Sequence, residues 1–294
     1  MFVTRKRAIL AALILSARLS FAQSSLSRTE IEQRVASLPA ERRTYERFWS
    51  FVSALPANER GDKETEQFRQ EDLLKKYRTW LVETGSTPDE ADKEIATLQK
   101  RGDADVAEFW NRLLVKERPK WMNSEPNGFL VEMTKGRKPG KALDVAMGQG
   151  RNSIWLALQG WDVTGFDPAD QAIAAAQKEA KRRGVTIHTE VTTMERFDFG
   201  KNKWDLIVLS YAGCSEEAVR IQRALKPGGI LIEEAFHTDA LKTMKIGGSL
   251  CKTAELPNAF QDLRVIRYEE PVAKPDFAPR LTRVVRFAAE KPIE

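Results

Sequence analysis

Apolar and polar positions divide the chain into three stretches. Ala8 to Leu15 (AILAALIL) is an unbroken apolar run behind the basic triplet Arg5-Lys6-Arg7, and Ser20-Phe21-Ala22 places small residues where a signal peptidase cuts. The run is far shorter than the ~20 residues of a spanning helix. Residues 1–22 are therefore predicted to be an export signal, with no membrane attachment after cleavage. The protein is expected to be exported (periplasmic or secreted) if the signal functions and cytoplasmic otherwise.

Residues 23–120 follow a helical period. Ser27-x-x-Glu30 has the form of a capping box opening a helix from Thr29. A second helix carries Tyr45, Phe48, Trp49 and Val52 on one side, and a third, from about Lys63 to Glu83, carries Phe68, Leu73, Tyr77, Trp80 and Leu81. Pro88-Asp89-Glu90 starts a fourth, and a fifth is predicted from Ala104 to about Lys116 with Val106, Phe109, Trp110 and Leu113. Aromatic residues at this spacing are read as the seam between packed helices. No chemistry is read in this region, and docking of a protein partner is the one binding role it suggests.

Residues 121–294 change to short apolar strands alternating with helices. A helix over Gly128 to Met133 leads into strands at Lys141–Ala146, Asp162–Phe166, Thr186–Val191, Trp204–Ser210 and Ile230–Ala235, with helices at Asn152–Gln159, Ala169–Arg183 and Glu216–Leu225 between them. Trp204–Ser210 (WDLIVLS) is nearly all apolar, as a central parallel strand buried on both faces would be. Leu263–Tyr268 and Thr282–Ala288 have only a proline-rich loop between them, so they are predicted to pair as an antiparallel hairpin. The expected fold is α/β: a doubly wound, mainly parallel seven-stranded Rossmann-like sheet with a C-terminal antiparallel hairpin, preceded by an all-helical segment.

Composition narrows the reading further. The 294 residues are 42% apolar and 30% charged with a formal net charge of +5, a globular balance with only a mild basic excess. Two histidines, without CxxC or HExxH, make no zinc motif. Cys214 and Cys251 are free to pair in an oxidising compartment if the fold brings them together.

The chemistry is read from the first βα turn. In an open α/β sheet a ligand sits at the carboxyl ends of the strands, where Asp144-Val-Ala-Met-Gly148-Gln-Gly150 falls. The glycines let the chain bend and a ligand approach, and Arg151-Asn152 opens the next helix with free N–H groups. Asp167, 17 positions after Gly150, suits a carboxylate holding both hydroxyls of a ribose. Ser153 stands where a dinucleotide fingerprint needs its third glycine, so a nicotinamide cofactor fits poorly. An adenosyl ligand with cationic sulfonium and ammonium groups fits better, with Asp144 as the acid near the loop.

These residues carry a resemblance. LDVAMGQGRN, VTGFDP, WDLIVLS and LKPGGILIEEAF are similar to the motifs of class I S-adenosylmethionine-dependent methyltransferases. GQGRNSIWLALQGWDVTGFD, the EAF ending strand five, and GGSLCKTAELPNAFQDLRVIRYEE resemble the tellurite-resistance and thiopurine-type branch, which acts on small molecules. The resemblance implies S-adenosyl-L-methionine as cofactor and a small thiol, chalcogen or similar nucleophile as methyl acceptor. It implies that Asp144, Ala146, Gly148 and Gly150 line the methionine part, that Met147, Arg151 and Asn152 also bind the cofactor, and that Asp167 takes the ribose with Pro168 beside the adenine. Thr193 and Met194 would flank the adenine, and Ser210 and Tyr211 would close strand four against cofactor and acceptor. Ala146 replaces a usual glycine, a swap expected to be tolerated with negative φ, and Met147 replaces a frequent cysteine. A hard acceptor would need a base, for which His237 is the candidate, with Tyr211 and Glu234 as neighbours. His188, inside strand three, is read as structural. Nucleic acid is not expected as a substrate, since no dense basic patch with interleaved aromatics is present. An exported, non-catalytic binding protein of the same fold, whose helical region docks a partner, is the alternative.

Overall fold

The computed structural model describes residues 27–293, except 37, 39, 56–69 and 243–249. The expected export signal, and the start of the third helix with Phe68, lie outside the described residues. No described helix is long and apolar enough to cross a membrane.

The chain forms two compact units that divide between Asp105 and Val106, so residues 106–120 group with the α/β unit rather than with the helices before them. In the helical unit, α1 (Arg28–Val35) begins in the expected capping box, with Ser27 and Glu30 bonding reciprocally. It is followed by α2 (Ala40–Ala54) and α3 (Gln70–Glu83). The aromatic seam is a core of Ile31, Phe48, Phe51, Leu73, Tyr77 and Leu81. Tyr77 is fully buried, and its hydroxyl donates to Glu94 Oε1 at 2.6 Å; Arg47 Nη1 donates to both oxygens of the same carboxylate at 2.7 and 2.8 Å. Burial and the adjacent Glu94 charge hold the Tyr77 phenol far above its ordinary range.

The fourth and fifth predicted helices are one element. α4 runs unbroken over Pro88–Asn111 and continues as a π-helical turn over Arg112–Lys116. Gly102 lies inside this helix, where a single interior glycine costs only about 1 kcal/mol and no proline enforces a stop. Within the α/β unit Trp110, Leu113 and Leu114 pack with Met122, Ala169 and Ala172.

The remaining elements follow the alternating pattern closely. They are α5 (Gly128–Thr134), β1 (Lys141–Val145), α6 (Arg151–Leu158), β2 (Asp162–Asp167), α7 (Asp170–Arg182), β3 (His188–Val191), β4 (Trp204–Ser210), α8 (Ala218–Ala224), β5 (Leu225–Phe236), α9 (Glu255–Ala259), β6 (Arg264–Glu269), β7 (Val272–Ala273) and β8 (Thr282–Glu290). The sheet order is β3-β2-β1-β4-β5-β8-β6, with the short β7 paired to β8. Strands β1 to β5 are parallel, and β8 runs antiparallel to both β5 and β6. The hairpin is thus present, with its second strand inserted beside β5 and its first strand at the edge. Two apolar layers enclose the sheet. One includes Phe166, Ile207, Leu231 and Phe287, and the other includes Ile154, Val163, Val208 and Ile232. The strand order reverses between β1 and β4, which opens the crevice at their carboxyl ends.

Cys214 and Cys251 do meet, in a disulfide with Cα atoms 5.5 Å apart. It ties the loop after β4 to the segment before α9.

Candidate functional site

The chain leaves β1 through Ala146 at φ 52°, Gly148 at φ 54° and Gly150 at φ 75°, a left-handed path that wraps the turn over the strand ends. The swap of a usual glycine for Ala146 was to be tolerated with negative φ; that condition is not met, and the positive φ strains a residue with a Cβ. Ala146→Gly is therefore expected to raise stability by about 1 kcal/mol, seen as a Tm increase of about 2–4 °C in a thermal melt. An unchanged or lower Tm would refute the strain. At Gly150 the constraint is space as well as φ: a Cβ there would lie 2.9 Å from Ala176 Cβ of α7.

Two acids flank this turn and both are buried. Asp144, at the end of β1, is 1% exposed and accepts from Ser153 Oγ at 2.6 Å through Oδ2. Asp167, at the end of β2, is 5% exposed; its Oδ2 accepts from Gly148 N and its Oδ1 from Ala169 N, both at 2.9 Å. The second bond closes a local turn before α7, while the first pins the glycine loop to β2. Burial raises the carboxyl pKa of each to about 6. Their own repulsion adds to this at Asp144, whereas Ser153 and Arg151 oppose it. Ser153, read from sequence only as a missing glycine, thus orients the buried acid.

Other expected residues are distributed unevenly. Asn152 is buried and joins two elements, its Oδ1 accepting from Asn127 N at 2.9 Å and its Nδ2 donating to Ser210 Oγ at 3.1 Å. Pro168 lies half-buried beside Asp167, and Thr193 and Met194 are half-buried after β3. Met147 does not face the crevice: its sulfur lies under Gly165, where a Cβ would come within 2.4 Å of it, and it belongs to the apolar layer below. Arg151 also turns away from the loop, donating to Glu125 O at 2.7 Å and Asp276 Oδ2 at 2.8 Å while its guanidinium covers Phe277.

Tyr211 and His237 do not meet. The Tyr211 hydroxyl donates to Glu234 Oε1 at 2.6 Å and accepts from Asp276 N at 3.3 Å. Burial and the Glu234 charge push its pKa well above 10. His237 Nδ1 accepts from Asp239 N at 3.0 Å, so its proton lies on Nε2, 3.0 Å from Thr253 Oγ1. Both ring nitrogens are engaged, and the expected neighbours Tyr211 and Glu234 belong to a different cluster. His188 is exposed on β3, 3.5 Å from Asp162.

That cluster was not legible in the sequence. Glu234 is 5% exposed and accepts from Tyr211, from Asn127 Nδ2 at 2.8 Å and from Arg286 Nε. Asn127 Nδ2 also donates to Asp276 Oδ2 at 2.8 Å, and Asn123 Nδ2 to Asp276 Oδ1 at 2.7 Å. Residues from distant parts of the chain thereby meet at the carboxyl ends of β4 and β5. Only the acidic pair Glu233-Glu234, following the apolar Ile230 to Ile232 in β5, hinted at it. Leu114 lies over the glycine loop, 3.4 Å from where a Gly148 Cβ would stand.

A glycine turn and two buried acids stand at the switch point of an open parallel sheet, the position at which doubly wound α/β proteins as a class take a small ligand. Residues 120–277 match the family described as "Tellurite resistance protein TehB", and the chain belongs to that family. It is 27% identical over 159 residues to the protein of Haemophilus influenzae (strain Rd) named "Probable S-adenosyl-L-methionine-dependent methyltransferase TehB", covering 51% of this chain and 55% of that one. The protein of the same name from strain 10810 is 28% identical over 152 residues, covering 49% and 53%. The chain therefore spans about half the length of these curated relatives. The crystal structure of TehB from Haemophilus influenzae superposes with a TM-score of 0.51 at 21% identity, over 56% of this chain and 62% of that one, and shares the fold.

Proposed function

We propose that the α/β unit is an S-adenosylmethionine-dependent methyltransferase acting on a small, soft nucleophile such as a thiol or chalcogen anion. The observation that carries this reading is the pair of buried acids, Asp144 and Asp167, on either side of the left-handed glycine turn. A phosphate ligand would be repelled by two carboxylates, whereas a cationic, phosphate-free adenosyl ligand is favoured by them. Family membership supports the same cofactor through the relatives' names.

In this reading Asp167 accepts from the ribose hydroxyls with the lone pairs not used by Gly148 and Ala169. Asp144, with the Ala146 to Gly150 turn, faces the methionine end. Pro168, Thr193 and Met194 border the adenine, and Ser210 and Tyr211 border the acceptor. Met147, Arg151 and Asn152 act by supporting the turn and the loops around it. The cofactor supplies a methyl group on a sulfonium leaving group. The protein's task is then alignment and exclusion of water, a contribution of up to ~7–11 kcal/mol. Tyr211 holds its proton and His237 has no free nitrogen. Neither serves as a base, which supports an acceptor that arrives already anionic. The disulfide supports the export reading, since such bonds persist in oxidising compartments.

The test is calorimetric titration of the full chain with S-adenosylmethionine and separately with NAD. Micromolar binding of the first alone, lost in Asp144→Ala, is expected, followed by methylation of a thiol acceptor. Binding of NAD, or of neither ligand, would overturn the reading.

A further inference from the structure

Glu233 stands one residue before the crevice's Glu234 and faces the opposite side of the sheet. It is 1% exposed, in the layer that contains Leu231, Cys214 and Cys251, and neither carboxylate oxygen has a hydrogen-bond partner. An unpartnered carboxyl in an apolar layer costs several kcal/mol even when protonated. The disulfide beside it gives no reason for that cost, since a sulfur bridge needs no acid. The carboxylate and both Sγ atoms nevertheless lie within 4.8 Å of one another.

The surroundings favour a cation. Glu216 Oε2 accepts from Cys214 N at 2.8 Å, and Glu255 accepts from Ser215 Oγ at 2.6 Å and Lys252 N at 2.8 Å. Both of these carboxylates raise the local negative charge at Glu233. Among the described residues no lysine, arginine or histidine pairs with it. Two sulfurs and one oxygen form a soft-to-borderline donor set. Bonds of ~2.3 Å to sulfur and ~2.0–2.2 Å to oxygen place tetrahedral donors about 3.5–4 Å apart, so small side-chain rotations suffice.

We infer that Cys214, Cys251 and Glu233 form a binding site for a thiophilic divalent cation such as Zn2+, open to the metal when the two cysteines are reduced thiols and closed to it in the disulfide form. Loading forms two metal–sulfur bonds and one metal–oxygen bond. It releases the two thiol protons and the Glu233 proton, and no atom but hydrogen leaves the site. The prior reduction is a two-electron step: a phosphine reductant takes the oxygen of one water to become the phosphine oxide, and the disulfide becomes two thiols. A fourth position remains for water. Metal and disulfide would each tie the loop after β4 to the segment before α9, so the fold is clamped in either redox state. This inference is independent of the cofactor reading.

The experiment uses the full chain in two forms, one oxidised and one reduced with a phosphine and freed of metal, each titrated with Co2+ and followed by its thiolate-to-cobalt absorption. The reduced chain is expected to bind one equivalent, and Zn2+ to displace the cobalt and shield both thiols from alkylation until a chelator is added. The oxidised chain is expected to give no such absorption. Glu233→Gln, which removes the anionic oxygen but neither sulfur, is expected to weaken binding at least tenfold. If the reduced chain loses its native circular dichroism without metal, its return on adding Zn2+ supports the site and its failure to return counts against it. Absence of thiolate-to-cobalt absorption in the reduced chain, or full affinity in Cys251→Ser or Glu233→Gln, would overturn the inference.

Discussion

Asp167→Ala is expected to lower the affinity for S-adenosylmethionine at least 100-fold in a calorimetric titration. Hydrogen bonds to a charged group contribute about 1.5–3 kcal/mol each, and two ribose hydroxyls on one carboxylate therefore amount to about 3 kcal/mol or more. At about 1.4 kcal/mol per factor of ten, that is two decades or beyond. The substitution also frees the N–H groups of Gly148 and Ala169, so the turn loses its tie to β2. Affinity equal to that of the unaltered chain would show that Asp167 serves only to brace the turn and the start of α7.

The same carboxyl sets a pH dependence. Asp144 and Asp167 titrate near 6, against an ordinary value of 3.8, chiefly because burial disfavours the charged form. A folded-state pKa raised in this way means that the folded chain holds these protons more tightly than the unfolded one. The stability contributed by the two groups is fully present below about pH 3.8 and is lost as pH rises through about 6. A cationic ligand beside them reverses the preference, since it binds the ionised pair. Binding is therefore expected to strengthen as pH rises through about 6 and to release protons there. Titrations at pH 6 in two buffers of different ionisation enthalpy measure that release directly, and equal apparent enthalpies would contradict it.

Glu234→Ala is expected to be the most destabilising of the substitutions considered, by about 3–5 kcal/mol. The residue is nearly fully buried and collects Tyr211 Oη, Asn127 Nδ2 and Arg286 Nε on its two oxygens. Its removal leaves a guanidinium with only Glu269 as a carboxylate partner, the Tyr211 hydroxyl without its acceptor, and Asn127 Nδ2 with Asp276 alone. Glu234→Gln keeps an acceptor for Tyr211 and Asn127 but turns an amide toward Arg286, so an intermediate loss is expected. Urea unfolding reads both, and a loss below about 1 kcal/mol for the alanine variant would mean that water replaces the carboxylate without cost. A cofactor affinity that falls along with the stability would link this cluster to binding.

The α/β sheet was readable from its strands because each is short, apolar and set off by a turn, and WDLIVLS became β4 without a residue's difference. The hairpin was readable because no helix could fit between its strands, although the insertion of β8 between β5 and β6 was not. The fourth and fifth expected helices form one element because no proline stands between Pro88 and Asn111 to stop the helix.

For the site, local spacing determined what lies on one turn: Asp144, Gly148, Gly150 and Asp167 converge because strand ends β1 and β2 are neighbours in a parallel sheet. The sequence by itself therefore carried the fold, the acid pair and the family. Side-chain direction and long-range pairing were decided only in the tertiary structure. Met147 turned inward because the space under Gly165 is open to it, Ala146 took a positive φ because the turn demanded it, and His237 was claimed by Asp239 and Thr253. Glu234 met Asn127 and Arg286 across 107 and 52 residues, and Glu233 met two cysteines 37 residues apart. Contacts of that separation leave no period in the chain, because they depend on which strand ends the sheet order brings together rather than on spacing within any one element.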